Sequence, residues 1–189
     1  SSIAALTEYS EFIFKIFRTK HANREGYYEV TLYIDGEWQI VTVDDYFPVI
    51  KGTNEFRFAK PNGNELWVIL LEKCWAKING GYANTISGWP SEPLTTLTGF
   101  PAKKVLHKEY TLNDLWNIIL QSDRSDNVMC TTTKADKAIE ELGLIYNHAY
   151  TLIGAKEYHG SEIIRLVRIR NPWGFKEWKG RYSEDRKSV

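Results

Sequence analysis

Tyr28, Val30, Leu32 and Ile34 alternate with Glu29, Thr31, Tyr33 and Asp35, a period-two pattern that puts one face of a strand into a core. Asp35-Gly36 follows as a hairpin turn signal, and Trp38-Gln39-Ile40-Val41-Thr42-Val43 supplies the returning strand. This hairpin sits between segments of helical spacing. Ile3 to Phe17 reads as a helix interrupted near Glu8-Tyr9-Ser10. Glu65 to Ile78 reads as a helix with Trp67, Leu70, Leu71, Cys74 and Ile78 on one stripe, stopped by Gly80-Gly81. Phe56-Arg57-Phe58 reads as a short further strand.

Gly88 to Pro101 is rich in breakers and marks a boundary near Gly99. Beyond it, Thr111-Leu-Asn-Asp114 has the form of a capping box opening a helix with Leu112, Leu115, Trp116 and Ile119 on one face. Strands are expected at Asn127–Thr132, Ala149–Gly154 and Ile163–Ile169. Helices and a hairpin come first and strands come later. That order predicts an α+β fold with a helical lobe over 1–99 and a β-rich lobe over 100–189, not alternating βαβ units.

Composition narrows the function classes. The 189 residues are 43% apolar, with 24 basic and 24 acidic side chains. This balance gives no basis for nucleic acid or an anionic membrane as partner. No apolar run approaches the ~20 residues that span a bilayer, so membrane association is expected only through other domains. Ser1 to Thr7 lacks the basic start and apolar centre of a signal peptide. It also lacks a cap before its apolar run, and is expected to be the interior of a helix in a longer protein. The two cysteines, Cys74 and Cys130, make no disulfide framework and suit a reducing, cytoplasmic setting.

Two segments place a polar residue at the end of an apolar strand: Asn147-His148-Ala149-Tyr150 and Arg168-Ile169-Arg170-Asn171-Pro172-Trp173-Gly174. Strand ends present side chains rigidly yet accessibly. His148 can shuttle a proton near neutral pH. The Asn171 amide oxygen can hold an imidazole N–H and fix its tautomer without adding charge, and Trp173 can cover that bond. Cys-His-Asn is the arrangement of papain-like proteases. The competing reading is a structural histidine and ordinary turn dipeptides.

Asn-His-Ala-Tyr, then Ile-Arg-Asn-Pro-Trp-Gly, then Glu177-Trp178-Lys179-Gly180-Arg181-Tyr182 resemble the histidine and asparagine motifs of the calpain family. The Glu65–Gly80 segment is similar to that family's central helix, and Gly36-Glu-Trp, Val43-Asp-Asp45 and Leu97-Thr-Gly99 also fit in order. The resemblance covers nearly the whole chain. It implies a two-lobed papain-like core and a calcium-dependent cysteine endopeptidase acting on protein substrates. In it His148 is the general base, Asn171 its orienter and Trp173 their shield. It puts the nucleophilic cysteine about four residues before Ser1 and the oxyanion-hole glutamine further upstream, so these 189 residues alone are expected to be inactive.

Cys74, on an apolar helical stripe, and Cys130, in a strand with no evident basic neighbour, are not expected to replace that nucleophile. The residue before the histidine, usually glycine in the family, is Asn147 here. The resemblance further implies a regulatory Ca²⁺ in each lobe. Glu65 falls on a ligand of the first, and Glu177 and Glu184 on ligands of the second, in incomplete sets. No Asp-x-Asp-x-Asp-Gly loop is present, and surface carboxylates are the plain alternative. Two other functions compete. One is a non-catalytic calpain-like scaffold that binds proteins. The other is a transglutaminase-like acyl transferase, against which Asn171 argues, because that class typically orients its histidine with aspartate.

Overall fold

The computed structural model describes residues 1–61 and 63–183. It is an α+β structure that divides into two compact units. One runs from Tyr9 to Lys103. The other joins Ser1–Glu8 to the residues from Lys104 onward.

In the Tyr9–Lys103 unit, α2 (Ser10–Ile16) leads into a hairpin of β1 (Tyr27–Ile34) and β2 (Glu37–Asp44). Ile34 pairs with Glu37 across a two-residue turn. Asp35 and Gly36 both have positive φ, 51° and 88°. That geometry matches the right-handed strand twist, and glycine adopts it without strain. The alternation read from the sequence is the burial pattern: Tyr28, Val30 and Leu32 are in the core.

α3 (Trp67–Ile78) buries Ile69, Leu70, Leu71, Cys74 and Ala76. It begins two residues later than the periodicity predicts, so Glu65 lies before the helix. Phe56 makes only an isolated bridge with Val49, and no strand forms at Phe56–Phe58. Conversely, the breaker-rich stretch contains a helix, α4 (Ser91–Thr98). Pro90 is its N-cap and Pro93 lies in its first turn, where backbone N–H groups have no intrahelical partner to lose. Gly99 ends it at φ 72°.

The second unit begins with α1 (Ser2–Leu6), and a 3₁₀ turn over Thr7–Tyr9 separates it from α2. α1 belongs with this unit through side-chain bonds. Ser1 Oγ donates to the Ala149 carbonyl at 2.6 Å. Arg170 reaches Thr7 Oγ1 at 3.1 Å and Glu8 at 2.5 Å. α5 (Leu112–Arg124) opens with the predicted capping box of Thr111 and Asp114. Its buried face centres on Trp116, whereas Leu112, expected on that face, is 85% exposed. The antiparallel sheet has the order β3 (Met129–Thr132), β4 (Ala149–His159), β5 (Ile163–Arg170). β4 outruns its expected end at Gly154, because β5 pairs with it as far as His159↔Ile163.

Candidate active site

β4 and β5 bring their two end segments together. His148 precedes β4, Asn171 follows β5, and Thr151 pairs with Arg170 between them. Both residues are buried. His148 Nε2 lies 3.0 Å from Asn171 Oδ1, across 23 residues of sequence.

The Asn171 amide is fixed from both sides. Its Nδ2 donates to the Phe175 carbonyl, with the Lys176 carbonyl at 3.4 Å. Its Oδ1 accepts from the Trp173 backbone N–H at 3.1 Å. The oxygen therefore faces histidine, and His148 Nε2 must carry the proton. A neutral imidazole has one donor and one acceptor nitrogen, so Nδ1 is the basic atom.

Aromatic rings enclose the imidazole. Trp173 lies 4.3 Å away, centroid to centroid, and Tyr150 meets it edge-on at 4.9 Å. Trp173 stacks in turn on Phe175 at 5.6 Å while remaining 57% exposed. Burial pushes the His148 pKa below its ordinary 6.5. The Asn171 hydrogen bond acts upward against burial.

Asn147 stands at φ 48°, in the left-handed region. Glycine is at ease there, and asparagine is among the few other residues that visit it routinely. Asn147 thus holds a left-handed backbone beside the histidine. Gly143 plays a second backbone role that the sequence did not reveal. A Cβ built there would lie 1.9 Å from the Glu177 carbonyl oxygen, at φ 84°. Only glycine lets the segment after Asn171 pack this closely, and Lys179 N–H pins the segment to the Leu142 carbonyl at 2.9 Å.

A family model described as calpain family cysteine protease matches residues 1–188. The chain belongs to the calpain family. It is 34% identical to the mouse calpain-1 catalytic subunit over 97% of its own length and 27% of that protein's. It is 31% identical to the maize calpain-type cysteine protease DEK1 over 97% of its length and 9% of that protein's. The chain therefore spans about a quarter or less of these calpain relatives.

The remaining candidate residues of this calpain-family chain do not gather. Cys74 is fully buried in α3, and burial pushes its thiol up to about 12. Cys130 in β3 is pushed up to about 11 by burial. Both thiols stay protonated near neutral pH, unlike a cysteine nucleophile. Glu65 and Glu177 are exposed, and Glu184 lies outside the described residues. Among the described residues, no group of three or more His, Cys, Asp or Glu side chains could hold a metal ion. Calcium takes 6–8 oxygen ligands, so the described carboxylates do not by themselves fit a calcium site.

Proposed function

We propose that this chain carries the base-bearing machinery of a calcium-regulated, cytoplasmic cysteine endopeptidase acting on protein substrates. The observation that carries this reading is the buried 3.0 Å bond between His148 Nε2 and Asn171 Oδ1 in a calpain-family chain. The nucleophile in this reading is a cysteine other than Cys74 and Cys130, which the resemblance puts about four residues before Ser1.

His148 Nδ1 takes the thiol proton, giving a thiolate and an imidazolium. Asn171 holds the Nε2 proton throughout. Its neutral amide leaves the imidazolium's charge available to the sulfur. The thiolate attacks the peptide carbonyl, and the tetrahedral intermediate collapses to an acyl-enzyme. The Nδ1 proton leaves with the departing amine. Nδ1 then takes a proton from water, whose oxygen attacks the thioester, and the returning proton frees the thiol. Trp173, beside the imidazole, shields the Nε2 bond from solvent.

Calcium regulation rests on kinship, and the cytoplasmic setting on the two free cysteines. The test is peptidase activity of the full-length protein on a denatured protein substrate, titrated with calcium. Calcium-dependent cleavage blocked by thiol alkylation is expected, while the 189-residue chain cleaves nothing. Binding of protein without cleavage would favour the scaffold reading, and cleavage indifferent to calcium would remove the regulatory part.

A further inference from the structure

The proposed base is held by its main chain as well as by its ring. β3 ends at Thr132, paired with Ala149 at the start of β4. One step further, Thr133 faces His148. Thr133 N–H donates to the His148 carbonyl at 2.9 Å. The Thr133 hydroxyl accepts from His148 N–H at 2.9 Å and donates to the Ile145 carbonyl at 2.7 Å, with the His148 carbonyl 3.1 Å away. A hydroxyl has one proton and two lone pairs, so this side chain uses both its roles on one short segment.

The same segment is tied at two further points. Asn147 N–H donates to the Lys134 carbonyl at 2.9 Å. Ile145 N–H donates to the Tyr150 hydroxyl at 2.9 Å. Between these ties lies Asn147 at φ 48°. A non-glycine residue in that region persists when its surroundings over-determine it. Thr133 supplies a large part of that determination, through a side chain where a strand ladder ordinarily uses backbone.

We infer that Thr133 is a positioning residue for the reaction: its hydroxyl fixes the His148 main chain so that the imidazole seats on Asn171. The inference rests on the reading of His148 as the base. A misplacement of ~1 Å at a reacting group can cost about a hundredfold in rate, and the segment Ile145–His148 sets where the imidazole begins.

Thr133→Val keeps the volume and removes the hydroxyl, while Thr133→Ser keeps the hydroxyl. In the full-length protease, Thr133→Val is expected to lower kcat about ten- to a hundredfold with KM within about twofold, and Thr133→Ser to recover to within about threefold of the parent. A merely structural hydroxyl would lower the melting temperature and leave kcat of the folded protein alone. In the 189-residue chain, the His148 Nε2–H signal in proton NMR should be lost to exchange in Thr133→Val and retained in Thr133→Ser. Unchanged kcat, or a retained signal in Thr133→Val, overturns the inference. An inactive parent would sink the base reading instead, and the NMR comparison would still decide whether Thr133 holds His148. If Thr133→Val does not fold, Thr133→Ala removes the same hydroxyl, and a retained signal there overturns the inference equally.

Discussion

The two units bury different things. The Tyr9–Lys103 unit fills its interior with apolar side chains such as Val30, Leu32, Ile69, Leu71 and Cys74. The buried polar residues among those described are Ser2, His148, Thr151 and Asn171, and all belong to the other unit. Burying a polar group costs free energy unless its hydrogen bonds are met. The second unit meets them closely. His148 bonds Asn171 through its ring and Thr133 through its main chain, and Thr151 Oγ1 reaches the Ser1 carbonyl at 3.4 Å. The first unit is a scaffold held by apolar packing. The second retains a satisfied polar centre, the arrangement expected where geometry must be specified for chemistry.

The strongest way to break this contrast is to exchange the two kinds of damage. His148→Ala in the full-length protein should reduce peptidase activity about a thousandfold while changing the melting temperature little. Leu71→Ala, in the apolar unit, should do the reverse. It should cost about 2–5 kcal/mol of stability through the cavity it leaves, read by urea unfolding, with kcat of the folded protein near that of the parent. If Leu71→Ala silenced activity in fully folded protein, the division of labour between the units would be wrong.

Asn171→Ala should have a smaller effect, about a hundredfold on kcat, because the base remains but its ring is no longer held. It should also move the His148 titration. The Asn171 bond is the influence acting upward on a pKa that burial lowers, so the variant's NMR midpoint should fall below the parent's, itself below 6.5. With the folded pKa beneath the unfolded one, the unfolded chain binds more protons between the two values. The His148 contribution to stability is thus present above the ordinary 6.5 and lost as pH falls through the folded value. Urea unfolding over that acid window should show a steeper decline in Asn171→Ala.

The least effect is expected at the thiols. With Cys74 held at about 12 and Cys130 at about 11, iodoacetamide at neutral pH should leave both unmodified in the folded 189-residue chain over a time that fully labels a free thiol. Rapid labelling of Cys130 would reopen it as a nucleophile.

Much of the fold was legible because local chemistry specified it. Alternation from Tyr28 and the Asp35-Gly36 turn encode a hairpin whose register then follows, and Thr111 with Asp114 caps α5 as spacing requires. α4 was not legible. Pro93 reads as a breaker in a one-dimensional scan, and only its place in a first turn makes it harmless. Leu112 misled for the opposite reason. Periodicity gives a helix its apolar stripe, but neighbours decide how far along the helix that stripe is covered.

Sequence by itself determined the chemical types and the strand ends at which His148, Asn171 and Trp173 stand, since those depend on residue identity and short-range pattern. Tertiary structure alone decided that Nε2 meets Oδ1 at 3.0 Å, which amide atom faces the ring, and that burial lowers the histidine's pKa. It also decided that Thr133, the last of three adjacent threonines with no distinguishing local signal, grips the His148 main chain. Such facts come from the pairing of β3, β4 and β5. A hydrogen bond depends on distances of a few tenths of an ångström between residues far apart in the chain, and no local pattern encodes a distance of that kind.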